Sequence, residues 1–341
     1  AGRASAAAAA LRAAGAGQGP AAAEELLAEV AEHRPLPSGL TEAQVAAFQR
    51  DGYVLIRGLV QGEELEETRQ AVERWTEARG QPVGNLFGKF GFALWTQEEA
   101  LRRLCLDTAS PSIAAELMGL QAEANASVRL LKDAVLSFGP GQSGCGWHVD
   151  DEGFWPTSED SPGPGVNVWI SLAELPAAGG GGLAVVPGSH KLEWCQHCRE
   201  AIAGSFAFTC AMAKRSPECQ AKLEEHKVLH DLRPGDALVL DRWLFHRTEP
   251  FRPGAAPAGG LAHRYSIRYM PSEARLVDTA VTCGAPSREP ALLMGAGHGD
   301  SLERAGALCP RVWPAGAAEE RRALSGGLLQ ELEEAAEAKL R

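Results

Sequence analysis

The chain has 341 residues, 45% of them hydrophobic, and a formal net charge of -11. That length and apolar content support a sizeable core, in one large domain or two small ones. The acidic balance speaks against a nucleic-acid partner, which needs clustered Lys and Arg, and no apolar run approaches the roughly 18 residues that span a bilayer.

Residues 1–23 are rich in Ala and Gly, with Arg3 and Arg12 and no acid before Glu24. This composition is compatible with an organelle transit peptide or with a disordered or weakly helical tail. Glu24 to His33 reads as a short helix broken at Pro35 and Pro37, so 1–39 is expected to be a tail and short helix ahead of the main domain. Thr41, with Gln44 three residues on, makes a capping-box pattern, and Val45 and Phe48 follow at helical spacing until Asp51-Gly52. Tyr53-Val-Leu-Ile-Arg is strand-like. Glu63 to Arg79 is strongly periodic, with Leu65, Thr68, Val72 and Trp75 on one side. Glu98 to Leu106 and Pro111 to Met118 read as helices, the second with Ser110 as N-cap.

From Val128 the character changes to short β-rich runs separated by Gly and Pro. They are Val128-Arg-Leu-Leu, Ala134-Val-Leu-Ser-Phe, Val166 to Leu172, Leu183-Ala-Val-Val-Pro, Ala237-Leu-Val-Leu and Tyr265-Ser-Ile-Arg-Tyr. Many short strands with turn signals predict a mainly β fold, a barrel or double-sheet jelly roll with flanking helices. The charged, helical stretch 191–231 interrupts them and reads as a lid insertion over one end of the barrel. Glu319 to Leu340 reads as an amphipathic helix in a C-terminal extension, 276–341.

Residues two apart on a strand face the same side, so His148 and Asp150 in Gly-Trp-His-Val-Asp-Asp can point inward together while Trp147 and Val149 point away. His246 follows the strand Ala237 to Leu240. Two imidazoles and a carboxylate are the ligand set that binds non-haem Fe(II) on one face and leaves positions open for oxygen chemistry. A lone His-x-Asp is more often a surface pair; the distant His at a strand end lifts this one above that reading. In His263-Arg-Tyr-Ser-Ile-Arg, Arg264, Ser266 and Arg268 share a face. Arg264 with Ser266 can grip a carboxylate, as an Fe(II) oxygenase using 2-oxoglutarate requires, with Arg252 and Arg268 as competing candidates and structural salt bridges as the plain alternative.

These pieces, in order, resemble the phytanoyl-CoA dioxygenase family of Fe(II)/2-oxoglutarate oxygenases. The matching segments are Leu40 to Gly58, Gly146-Trp-His-Val-Asp, Val168-Trp-Ile-Ser-Leu, Gly182 to Lys191, Arg233 to Leu240, His246, and Arg264-Tyr-Ser. The resemblance implies a double-stranded β-helix, cupin-like core over 40–275. It implies Fe(II) on His148, Asp150 and His246, which serve as both metal ligands and catalytic centre. It implies 2-oxoglutarate on Arg264, Ser266 and Trp169, with Asn167 on the face of Trp169. O2 is then a co-substrate and ascorbate an accessory reductant. The loop Arg252 to Gly260 is longer than the family pattern. Relatives that halogenate carry a small residue at the position of Asp150, so the resemblance favours hydroxylation, desaturation or ring closure.

The expected function is hydroxylation of a C–H bond in a small-molecule, lipid or acyl-CoA substrate, with release of succinate and CO2. The reading from another class is a catalytically silent structural or assembly subunit. Oligomeric state is not legible. Among the eight cysteines, Cys195 and Cys198 with Cys210, Cys219 and His226 could form a zinc site, although free thiols in a lid fit the spacing better. That thiol content predicts a reducing compartment, cytoplasmic or organellar. Pro187-Gly-Ser-His190 reads as a turn, Gly179 to Gly182 as a loop without a phosphate cradle, and Phe154 and Trp155 as pocket-mouth or plain packing residues.

Overall fold

The structure, a computed structural model, describes residues 38–79, 94–123, 125–142, 146–150, 164–191, 198, 216–257, 259–275 and 299–314. The expectations for the N-terminal tail, for Phe154 and Trp155, for Cys195 and Cys210, and for the helix at 319–340 lie outside these residues.

Thr41 caps α1 (Glu42–Asp51) as its sequence predicts: its hydroxyl accepts from the Gln44 N–H, and the Gln44 side chain accepts from the Thr41 N–H. Gly52, at φ 80°, ends the helix in the left-handed conformation that favours glycine. β1 (Tyr53–Ile56) follows, then α2 (Gly62–Arg79), whose Thr68, Ala71 and Val72 are buried. α3 (Glu99–Leu106) matches its periodicity. α4 runs Ser110–Leu117, starting one residue earlier than expected. Ser110 lies inside it, and the hydroxyl of Thr108 accepts the Ser110 N–H.

The strands are β2 (Val128–Phe138), β3 (Val166–Ser171), β4 (Leu183–Val185), β5 (Ala237–Asp241), β6 (His246–Thr248), β7 (Ala262–Pro271) and β8 (Arg311–Trp313). β2 is one strand where the sequence suggests two. Its register against β7 shifts between Leu130 and Lys132, so a bulge reverses which residues face inward and carries the pairing through Lys132-Asp133. β8 pairs with β2, which brings a piece of the C-terminal extension into the main sheet.

The main sheet has the order β1-β5-β3-β7-β2-β8. One face carries Val54, Val135, Val168, Ile170, Val239, Tyr265 and Ile267 and packs under α1 to α4. The other face carries Trp169, Leu238 and Leu240 and meets a second sheet. That second sheet pairs β4 with β6 and is widened by single bridges from Val228 to Val185 and from His148 to His246. Two facing antiparallel sheets make the double-stranded β-helix, held by buried Val, Leu and Ile side chains each contributing roughly 1.5–3 kcal/mol.

α5 (Pro217–His226) lies within the stretch 191–231. Its Cys219 is bonded to Cys198, with the two Cα atoms 5.5 Å apart. This corrects the free-thiol reading and removes Cys198 and Cys219 from any zinc quartet. The helix places Cys219 and Leu223 on one buried face, and Cys198 reaches the same buried cluster.

Candidate metal centre

His148 and His246 are brought together by backbone. The His148 N–H donates to the His246 carbonyl at 3.1 Å and the His246 N–H to the His148 carbonyl at 3.0 Å. The pairing fixes both rings on the inner face, centroids 4.3 Å apart. Asp150, two residues past His148, reaches the same face after its N–H donates to the Arg242 carbonyl at 3.0 Å. The Nε2 atoms of His148 and His246 lie 3.8 and 3.9 Å from Asp150 Oδ1. One ligand atom from each of the three falls within 4.8 Å of the others, and all three residues are buried.

Tautomers follow from the other ring nitrogens. His148 Nδ1 is 2.7 Å from the Gly146 carbonyl and His246 Nδ1 2.9 Å from the Leu244 carbonyl. A carbonyl only accepts, so each Nδ1 carries hydrogen and each Nε2 presents a lone pair. Burial pushes the His148 pKa down to about 3, helped by His246 and Arg268 against the pull of Asp150. Burial also lowers the His246 pKa. Neutral imidazole is the form that binds metal.

The carboxylate is held from behind. Arg268 Nε donates to Asp150 Oδ2 at 3.1 Å and its Nη2 to Oδ1 at 3.0 Å. Asn167 Nδ2 donates to Oδ2 at 2.6 Å, and Ser266 Oγ donates to Asn167 Oδ1 at 2.6 Å. Burial alone would raise the Asp150 pKa, but Arg268, His246 and His148 outweigh it and hold the group well below the usual carboxylate range. Oδ2 thus accepts from Asn167 and Arg268, while Oδ1 accepts from Arg268 Nη2 and also faces the two imidazoles.

The candidates for the second anion separate cleanly. Arg268 is committed to Asp150, and Arg252 is exposed. Arg264 is 1% exposed and lies between the rings of Phe138 and Trp169, 4.8 and 5.6 Å from their centroids. Its Nη2 donates to the Gly181 carbonyl, its Nε has no hydrogen-bond partner, and no carboxylate among the described residues pairs with it. A buried guanidinium without an acid is costly, which suits a site for an anionic group. The register Trp169↔Ser266, Ser171↔Arg264 and Asn167↔Arg268 puts all six on the inner face, as alternation predicts.

Sequence reasoning placed Asn167 and Ser266 beside the co-substrate. The structure puts both in the chain of hydrogen bonds under Asp150, with Arg268 Nη1 also donating to Ser266 Oγ at 3.3 Å. The support role of Arg268 and the stacking role of Phe138 were missed. The shared face of Arg264 and Arg268 was legible, but the β3–β7 register that pairs Arg268 with Asn167 was not. His190 stays out of the centre, its Nε2 lying 3.3 Å from the Gln49 carbonyl. A cavity of about 490 Å³ lined by Arg69, Glu73, Leu172 and His263 is separate from the triad, because His263 points to the helix-covered face.

The model of the family described as "Phytanoyl-CoA dioxygenase (PhyH)" matches residues 48–255. Among solved structures, the chain is similar to the non-heme alpha ketoglutarate dependent carbocyclase SnoK from nogalamycin biosynthesis. The identity is 22%, coverage 82% of this chain and 99% of that one, and the TM-score 0.58. EctD from S. alaskensis with bound Fe is 21% identical over 70% of this chain and 79% of that one, TM-score 0.52. The epimerase SnoN in complex with Fe3+, alpha ketoglutarate and nogalamycin RO is 19% identical over 70% and 87%, TM-score 0.51. These likenesses establish the fold. No curated protein matches the sequence.

Proposed function

Given that the chain belongs to the phytanoyl-CoA dioxygenase family, we propose that it is an Fe(II)- and 2-oxoglutarate-dependent oxygenase that hydroxylates a C–H bond of a small-molecule or lipid substrate. The observation that carries this reading is the pairing, inside one β-helix, of a buried His148–Asp150–His246 set with a buried arginine, Arg264, that meets no carboxylate among the described residues. His148 Nε2, His246 Nε2 and Asp150 Oδ1 would hold the iron. Bound iron with 2-oxoglutarate supplies the oxidising chemistry, converting 2-oxoglutarate and O2 to succinate and CO2 while oxidising the substrate.

The rest is the work of the protein. Arg264, stacked on Trp169 and Phe138, binds the distal carboxylate of 2-oxoglutarate by a charge-assisted fork. Trp169 and Phe138 keep water from that ion pair and so strengthen it. Arg268 and Asn167 fix the Asp150 carboxylate, and the Gly146 and Leu244 carbonyls fix the two imidazole rings. Ascorbate serves as reductant in this reading. A carbocyclase and an epimerase share this fold, so ring closure and epimerisation are the alternatives to hydroxylation. An acyl-CoA substrate is the narrower possibility within the lipid class. A silent subunit has no use for a buried Arg264 that meets no carboxylate among the described residues, beside a complete triad.

Test: Fe(II)-loaded protein, 2-oxoglutarate and O2 are incubated with a metabolite extract, and succinate and products gaining one oxygen are measured. We expect succinate release that His148→Ala abolishes. Equal release from both proteins would sink the reading.

A further inference from the structure

The His148–His246 bridge has a second face. Because His148 lies opposite His246 in antiparallel pairing, Trp147 lies opposite Arg247 and Val149 opposite Phe245, all pointing outward. α5 covers this outer face. Leu223 and the bonded Cys198 and Cys219 pack with Trp147, Val149, Phe245, Ala184 and Val186. Glu224, next on the helix, spans the pair. Trp147 Nε1 donates to Glu224 Oε1 at 2.9 Å, and Arg247 Nη2 donates to Glu224 Oε2 at 3.0 Å. Arg247 lies over the Trp147 ring at 5.1 Å, and Lys227 pairs with Glu224 at 3.0 Å. One helix carboxylate therefore holds the residue before His148 and the residue after His246.

The brace meets a local need. His148 joins the sheet through a single bridge with two backbone hydrogen bonds, each worth only about 1 kcal/mol. A ligand set needs positions fixed to within roughly 0.5 Å. We propose that α5, through Glu224 and the Cys198–Cys219 bond, sets the spacing of the two histidine Nε2 atoms, which makes Glu224 a positioning residue for the metal. This rests on the reading that the triad holds a metal. α5 then acts in metal retention, backing the ligands from outside the site.

The test titrates Co(II) into the metal-free full chain, followed by calorimetry and by visible absorption of the loaded protein. Glu224→Gln keeps an acceptor for Trp147 but loses the charge pairing with Arg247. We expect it to weaken Co(II) about tenfold, and Glu224→Ala up to about a hundredfold, the range for groups that orient ligands. Cys219→Ala, which opens the bridge, should weaken Co(II) also. The Co(II) bands should shift in each variant, while the metal-free Glu224→Gln protein keeps its far-UV circular dichroism. Wild-type affinity and an unshifted spectrum in Glu224→Gln and Cys219→Ala would overturn the brace alone. Failure of the wild type to bind Co(II) would take down the metal reading and the brace together.

Discussion

Replacing Arg264 with Met should change stability and binding in opposite directions. Methionine keeps an apolar body of similar length between Phe138 and Trp169 and removes the charge. Burial pushes the guanidinium from 12.5 down to about 9, which at about 1.4 kcal/mol per pKa unit is on the order of 5 kcal/mol of desolvation. Against that stand the hydrogen bond to Gly181, about 1–1.5 kcal/mol, and cation–π contact with two rings, about 1–2 kcal/mol in all. Desolvation wins, so Arg264→Met should stabilise the ligand-free protein by roughly 1–3 kcal/mol. The same change removes one partner of a buried ion pair from the co-substrate complex, a loss of roughly 3–5 kcal/mol, or about two to four orders of magnitude in affinity for 2-oxoglutarate. The assay is thermal unfolding without ligand, beside calorimetric titration of 2-oxoglutarate into Co(II)-loaded protein. A variant that is less stable than wild type and binds 2-oxoglutarate within threefold of it would refute the assignment.

Three further outcomes follow from the same contacts. Arg268→Gln leaves the buried Asp150 carboxylate without its cation and should destabilise the metal-free protein by roughly 3–5 kcal/mol. Co(II) should restore part of that loss, read as a larger metal-induced rise in Tm than in wild type. Acid should destabilise the metal-free protein early. The unfolded chain protonates His148 near 6.5 and the folded one only near 3, so this contribution is intact above 6.5 and lost as pH falls toward 3. The slope from this group is about 1.4 kcal/mol per pH unit, and a denaturation midpoint unchanged from pH 7 to pH 5 would contradict it. Gly235→Ala should cost roughly 2–4 kcal/mol in urea unfolding. Gly235 has φ +88°, and an added Cβ would stand 2.0 Å from the Val60 carbonyl oxygen, which is backbone and cannot swing away.

Much of this architecture can be read before any coordinates. Thr41 and Gln44 announce α1 because the cap is local chemistry, and period-two alternation places His148 with Asp150 and Asn167 with Trp169 on one face. What escapes is set by distant pairing. The bulge at Leu131 joins two strand-like runs because β7 continues alongside both. β6 and β8, three residues each, are too short for periodicity and exist through their partners. Arg264 and Arg268 look alike in sequence, and only the Asn167↔Arg268 register gives Arg268 to Asp150. The bond between Cys198 and Cys219 depends on where α5 docks, which spacing alone does not encode.

In the proposed function, one β-helix brings an iron-binding triad and a 2-oxoglutarate anchor together. The most direct test is the visible spectrum of the protein under anaerobic conditions with Fe(II) and 2-oxoglutarate. A weak charge-transfer band is expected, absent in His148→Ala and needing far more 2-oxoglutarate in Arg264→Met. No band in the wild type, or an equal band in His148→Ala, would contradict it.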